Sequence, residues 1–102
     1  MKPDVILTVR FLTESEGGRN APVEGKFYAC PLFLEGESQG FDCRIPLDGR
    51  RLELGEIYEV SATFLDRDTV LPRLKIGTKL RLWEGRYIGD GHVIEIVGQG
   101  TA

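Results

Sequence analysis

Hydrophobic and polar residues alternate along most of this chain, and a period of two is typical of a strand and not of a helix. In residues 4–12 the two alternating sets are Val5, Leu7, Val9, Phe11 and Ile6, Thr8, Arg10, Leu12. This pattern predicts a first strand there. A second strand is predicted over Phe27–Leu34, which is aromatic and apolar. Because proline lacks a main-chain N–H group, Pro31 restricts that strand to an edge, a bulge or a sharp bend.

The same alternation predicts four further strands. The third has an apolar face formed by Phe41, Cys43, Ile45 and Leu47, and the fourth, over residues 57–65, one formed by Tyr58, Val60, Ala62 and Phe64. The fifth places two side chains inward and three outward, namely Leu80 and Leu82 against Lys79, Arg81 and Trp83. The sixth is clearest over Val93–Val97. Gly89 and Gly91 within it fit a sharp bend at the corner of a barrel.

Turn residues separate these strands. Gly36–Gly40 closes a hairpin, Asp48–Arg51 has turn chemistry, and Glu84-Gly85 is a tight turn. Residues 66–78 are the longest irregular connection, where Pro72 and Gly77 are expected to block a helix.

A glycine-rich stretch joins the first two strands. Gly17, Gly18, Pro22 and Gly25 restrict its conformation, because glycine supplies positive φ angles and proline fixes φ. The stretch is therefore predicted to be a shaped turn that presents Arg19 and Asn20 at a contact surface.

Six short strands with turns between them and no amphipathic helix predict an all-β fold. A six-stranded antiparallel closed β-barrel is favoured over a sandwich, because exposed strand edges would invite pairing with other chains. The 102 residues predict a single domain over residues 1–102, with a core over about 4–97 and a frayed tail over 98–102.

Charge narrows the choice of partners. The net charge is −3, which argues against a dedicated nucleic-acid-binding protein, although residues 67–86 hold six cations and two acids. No apolar run is long enough to span a membrane, and the start lacks the hydrophobic core of a signal peptide. We therefore expect a cytoplasmic protein with no membrane partner.

The residues that carry chemistry are few. No phosphate-binding GxxxxGK[ST] loop is present, and Gly89-Asp90-Gly91-His92 lacks the third glycine of a dinucleotide fingerprint, so neither a nucleotide nor another cofactor is expected. His92 is the only histidine and has no identified nucleophile. An enzyme that uses His92 and Asp90 is kept as an alternative to a non-enzymatic role.

Cys30 and Cys43 lack the spacing of a zinc or CxxC site. They are equidistant from the Gly36-Glu37 turn, which predicts that they lie opposite each other. In a reducing cytosol, buried free thiols are favoured over a disulfide.

Lys79, Arg81 and Trp83 form the main candidate contact site. Two cations and a stacking ring on one strand face suit a phosphate backbone, whereas a charged, solvated outer face is the alternative. For Arg19 and Arg86, an ion pair with Glu16 or Glu84 is the alternative to a ligand contact.

Two motifs resemble the C-terminal β-barrel domain (domain 3) of translation elongation factor Tu and its relatives. Glu16-Gly17-Gly18-Arg19 matches the family's Glu-Gly-Gly-Arg, and Leu82–Val93 is similar to its Arg-Glu-Gly-Gly-Arg-Thr-Val-Gly-Ala-Gly-Val-Val. Pro22, Gly25, Pro31-Leu32-Phe33 and Leu54-Gly55-Glu56 follow the family's order, so the likeness covers roughly residues 4–97.

The resemblance implies a barrel without catalytic residues. In that family the barrel packs on a GTPase domain and a second barrel and helps to hold the T-stem of aminoacyl-tRNA. Arg19, Asn20, Glu84 and Gly85 match positions on or near the tRNA-facing loops. We therefore expect a binding module with a protein partner, contacted through Phe27-Tyr28 and Leu32-Phe33. The alternative is RNA, contacted through Arg19 and the face of Lys79, Arg81 and Trp83.

Overall fold

The computed structural model describes residues 2–97 and contains six antiparallel strands. The strands are β1 Val5–Phe11, β2 Phe27–Leu34, β3 Gly40–Pro46, β4 Ile57–Phe64, β5 Lys79–Trp83 and β6 Tyr87–Ile96. They close in the order β1-β4-β3-β2-β5-β6, so the prediction of a closed six-stranded barrel is confirmed. Residues 98–102, predicted to be a frayed tail, lie outside the described residues. Within 2–97 no helix has the length and apolar character needed to cross a membrane.

The barrel interior is filled by the side chains that the alternation predicted to point inward. Val5, Leu7, Val9 and Phe11 of β1 are at most 1% exposed. Leu80 and Leu82 of β5 are also buried, while Lys79 and Arg81 on the same strand are exposed. Burial of these apolar side chains is the main term that stabilises the closed wall.

Close contact between β1 and β6 depends on two glycines. A Cβ atom on Gly91 would lie 1.8 Å from the main-chain oxygen of Thr8, and one on Gly89 would lie 2.9 Å from that of Arg10. The sequence predicted a bend here. The structure shows a strand that continues through both glycines, which let the main chains of β1 and β6 approach each other.

One end of the barrel, the helical end, is closed by residues 65–78. This segment contains a one-turn helix, α1 Arg67–Val70, and a 3₁₀ turn over Leu71–Arg73. The expectation that Pro72 blocks a helix in this segment was wrong in part. Pro72 occupies an early position of the 3₁₀ turn, where its missing N–H group is not needed. Val70, Leu71 and Leu74 are buried and cover the end of the core.

A buried carboxylate ties the helical end to β1. Asp4 is only 5% exposed, and its two oxygens accept hydrogen bonds from the Phe64 main-chain N–H and the Arg67 Nε, both at 2.9 Å. Both oxygens of this buried carboxylate are therefore paired, as burial of a charge requires.

The opposite end, the turn end, is closed by the connections 12–26, 47–56 and 84–86. Val23 and Leu52 join the first two connections through an antiparallel bridge and are both buried. A 3₁₀ turn over Glu14–Glu16, which the sequence did not predict, precedes the glycine pair. The Asp48-Gly49 turn is confirmed, with positive φ at both residues and a hydrogen bond from Arg50 N–H to Leu47 O.

The β2–β3 hairpin has the predicted register. Cys30 and Cys43 are paired across the two strands, and both are buried free thiols, as expected. Pro31 pairs with β3, but the ladder of β2 with β5 begins only at Leu32. On its β5 side Pro31 therefore lies just outside the ladder, which fits the predicted restriction to an edge-like position.

Candidate functional site

Four outward-facing side chains form a contiguous cluster on β2, β5 and β6, and we call it the aromatic patch: Phe33, Arg81, Trp83 and Tyr87. The centre of the Trp83 ring lies 5.1 Å from that of Tyr87 and 5.7 Å from that of Phe33, and the Phe33 and Tyr87 rings are 5.9 Å apart. All three contacts are edge-to-face, the arrangement that aromatic quadrupoles favour. The Arg81 guanidinium stacks over Tyr87, 4.9 Å from the ring centre.

The strand register explains why these residues meet. Arg81 is the partner of Phe33 on β2 and of Asp90 on β6, and Trp83 is the partner of Tyr87. A register shift between Leu82 and Trp83 accompanies this last pairing. The patch thus joins side chains from three strands on the outer wall.

Next to the patch, the outer wall carries charges of both signs. Lys79 is paired with His92, and Arg81 with Asp90. A groove of about 410 Å³ runs here over Gly91, and Glu35 and Arg10 also line it. Cross-strand pairs of opposite charge stabilise a sheet. The Lys79 and Arg81 side chains predicted as contacts are exposed, in a setting of mixed charge.

The predicted contacts at the turn end hold two connections together, and we call this group the arginine turn: Gly17, Gly18, Arg19, Glu84 and Arg86. Arg19 Nη1 lies 2.5 Å from Glu84 Oε2, and the same oxygen accepts a hydrogen bond from the Tyr28 hydroxyl. The ion pair of Arg19 with Glu84, kept above as the alternative to a ligand contact, is therefore present. The Arg19 guanidinium also lies 5.6 Å from the centre of the Tyr28 ring.

Arg86 completes this cross-link from the other side. Its Nε donates to Gly17 O at 2.7 Å and its Nη2 to Gly18 O at 2.9 Å. Glu16, the other predicted acid partner, instead binds Arg10, through contacts of 3.1 and 3.2 Å. Both arginines of the turn therefore have partners within the chain. Asn20 is exposed, and Gly85 has the positive φ of 79° that its tight turn requires.

The residues of β2 that the sequence predicted to contact a protein partner lie partly on the surface and partly in the core. Tyr28 and Leu32, expected to face a partner, point into the barrel: Leu32 is fully buried, and the Tyr28 ring packs edge-on against Phe11. This part of the expectation was wrong, because the period of two assigns alternate residues to opposite faces. Phe27 and Phe33 face outward.

His92 lies on the exposed face of β6. Its Nδ1 is 3.0 Å from Thr8 Oγ1, and its main-chain N–H donates to the same oxygen at 3.3 Å. This contact joins β6 to β1, where the two residues are register partners. Within the described part of the chain, no group of three or more His, Cys, Asp or Glu side chains is placed to hold a metal ion.

Three titratable groups of β2 and β3, namely Tyr28, Cys30 and Cys43, are electrostatically linked. Burial raises the pKa of Tyr28, and the neighbouring Cys30 and Glu84 add to the effect. A hydrogen bond from Cys43 lowers the pKa of the Cys30 thiol, in opposition to burial. The same hydrogen bond, together with burial, raises the pKa of the Cys43 thiol well above its ordinary value.

The sequence identified Trp83 and Arg81 as candidate contacts but did not predict that they lie against Phe33 and Tyr87. The signal was present, because all four lie at outward positions of their strands. What the sequence lacked was the order of strands around the barrel, which makes β5 the neighbour of both β2 and β6.

A search of protein-family models and of curated proteins finds no match to this chain, so neither comparison assigns it to a family.

Proposed function

We propose that this barrel is a non-enzymatic protein-binding module and that the aromatic patch is its contact surface. The observation that carries the proposal is the outward cluster of Phe33, Trp83 and Tyr87 with Arg81 stacked on it. Tryptophan, tyrosine and arginine are the residue types that most often dominate the binding energy of protein interfaces.

The charges around the patch favour a protein over a nucleic acid. Arg81 has Asp90 directly opposite it, and Glu35 lies on the same groove as Lys79. A phosphate backbone would approach these acids as well as the cations, and the chain as a whole carries a charge of −3. A protein partner whose surface carries charges of both signs would not be repelled by these acids.

The resemblance to the C-terminal barrel of elongation factor Tu supports the same choice. A closed six-stranded barrel is compatible with that family, in which the barrel is packed on other domains. That property of the family supports a protein partner for this barrel.

RNA is the second candidate, because Lys79, Arg81 and Trp83 combine two cations with an aromatic platform. The rival enzyme hypothesis rests on His92 and Asp90. The His92→Ala variant separates the enzyme hypothesis from the two binding hypotheses, since a binding module should still bind its partner in that variant.

The test uses the full chain as bait in an extract of the cells that produce it. Three forms are compared: wild type, the Arg81→Ala/Trp83→Ala double variant, and Phe27→Ala. Phe27 is a matched control, because it is 54% exposed and carries a stacked Arg44 at 5.1 Å, but lies outside the patch.

The expected result is a protein that wild type and Phe27→Ala retain equally. The double variant should bind it at least about 30-fold more weakly, the equivalent of losing one interface hot spot of about 2 kcal/mol. Equal retention by all three forms would contradict the proposal. Binding that disappears on nuclease treatment and falls steeply with added salt would instead favour RNA.

A further inference from the structure

We propose that Cys30 and Cys43 form a redox-active dithiol that closes to a reversible disulfide between β2 and β3. Cys30 is the attacking thiol, and the oxidant is a low-molecular-weight disulfide. This inference concerns the barrel interior and does not depend on the proposed partner surface.

The geometry of the hairpin brings the two thiols together. Cys30 and Cys43 are direct register partners in an antiparallel pair, and both side chains point into the core. Opposite residues in such a pair have Cα atoms about 4.5–5.5 Å apart, which lies within the range of about 4.4–6.8 Å found in disulfides. The main chain is therefore already at a spacing that a disulfide requires.

The two thiols differ in character. Cys43 lies directly across the strand pair from Cys30, and its thiol stabilises a thiolate at Cys30 by a hydrogen bond. The pKa of Cys30 is therefore lowered, whereas the pKa of Cys43 is raised. Since the thiolate is the nucleophile in disulfide exchange, Cys30 is the residue that attacks first.

Access also favours Cys30. The ladder between β2 and β5 begins only at Leu32, so no β5 residue is paired with Cys30. Cys30 is 6% exposed and Cys43 4%, so a small oxidant reaches either sulfur only when the wall between β2 and β5 opens locally.

The reaction balances with one molecule of oxidant. The Cys30 thiolate attacks one sulfur of the small disulfide, which forms a mixed disulfide and releases one small thiolate. Cys43 then gives its proton to solvent, attacks the Cys30 sulfur and displaces the second small thiolate. Two protein thiols are oxidised, and one small disulfide is reduced to two thiols.

The test uses the native wild-type chain in buffers with graded ratios of oxidised to reduced glutathione. Samples are quenched in acid and alkylated under denaturing conditions, and their intact mass is measured. The expected result is a monomer about 2 Da lighter that resists alkylation and is restored by excess dithiothreitol. Two thiols that stay open to alkylation at every ratio would overturn the proposal, as would a glutathione adduct or a disulfide-linked dimer as the final product.

Two matched variants test the assignment of roles. In Cys43→Ser the resolving thiol is gone, so Cys30 should accumulate as the glutathione mixed disulfide. In Cys30→Ser the remaining Cys43 should react at least about tenfold more slowly than Cys30 does in Cys43→Ser, because burial disfavours the Cys43 thiolate. Equal rates in the two variants would overturn the role of Cys30 as the attacking thiol. The wild-type measurement decides disulfide formation by itself if either variant fails to fold.

Discussion

The arginine turn and the aromatic patch both contain arginines that the sequence marked as contact residues, but the two regions use them differently. In the arginine turn, Arg19 and Arg86 bind Glu84 and the carbonyl oxygens of the glycine pair. In the patch, Arg81 stacks on an outward-facing ring. An arginine beside glycines therefore serves here to cross-link two connections, whereas an arginine at an outward strand position enlarges a surface. We expect substitutions in the turn to affect stability and those in the patch to affect binding.

The largest effect is expected from Gly18→Ala in the arginine turn. A Cβ atom at Gly18 would lie 2.1 Å from the main-chain oxygen of Leu12, so the chain would have to move. We predict a loss of about 3 kcal/mol or more in the free energy of unfolding, measured by urea denaturation. Gly17→Ala is the control, because Gly17 has a φ of +91° but open space around it. It should cost only about 1–2 kcal/mol. Equal losses in the two variants would contradict the close contact at Gly18.

The next largest effect is expected from Glu84→Ala. Its carboxylate accepts hydrogen bonds from Arg19 and from the largely buried Tyr28 hydroxyl. Leaving that hydroxyl without an acceptor costs about 1–3 kcal/mol, whereas a partly exposed ion pair contributes at most about 1 kcal/mol. Glu84→Ala should therefore destabilise the chain more than Arg19→Ala does.

A second substitution identifies the cause of that loss. Tyr28→Phe removes the hydroxyl, so adding it to Glu84→Ala should restore part of the lost stability. A double variant that is less stable than Glu84→Ala alone would show that the Tyr28 hydroxyl is not the group left unpaired. The readout is again the free energy of unfolding in urea.

Arg81→Ala in the aromatic patch is expected to have a smaller effect on stability. It removes a stacking contact on Tyr87, and such cation–π contacts contribute about 0.5–1 kcal/mol at exposed sites. Arg44→Ala is the matched control, because Arg44 stacks on the exposed Phe27. The free energies of unfolding of the two variants should differ by no more than about 0.5 kcal/mol. If Arg81→Ala destabilised the chain as much as Glu84→Ala, the patch would be structural and the contrast with the arginine turn would be lost.

The alternation of apolar residues was enough to predict the barrel wall, because the period of two fixes which side chains enter the core. Leu80 and Leu82 against Lys79 and Arg81 illustrate this, and all four were placed correctly. The partners of Arg19 and Arg86 are different in kind. They come from positions more than 60 residues away, so they depend on which connections meet at one end of the barrel.

The helical end shows a second limit. Val70, Leu71 and Leu74 have the spacing of one helical turn, a pattern that the prediction from Pro72 and Gly77 did not include. A single turn needs few internal hydrogen bonds, so a proline near its start is tolerated. Its stability comes from covering the core and from the contact of Arg67 with Asp4, and neither is visible without the tertiary structure.

The smallest effect is expected from Glu16→Gln, at the edge of the arginine turn. The Thr13 main-chain N–H and the Arg10 side chain donate hydrogen bonds to the Glu16 carboxylate, and these lower its pKa. Because the pKa is lower in the folded state, the carboxylate contributes its full stabilisation above the pKa of the unfolded chain, about 4.3. That contribution decreases as the pH falls and is gone once the folded carboxyl is protonated. The melting temperature of Glu16→Gln should therefore lie below that of wild type near neutral pH and approach it in acid.

Glu14→Gln, which changes an exposed acid in the same 3₁₀ turn, is the control for a general effect of charge. A gap between wild type and Glu16→Gln that stays constant from neutral pH into acid would show that the carboxylate is not held by these hydrogen bonds.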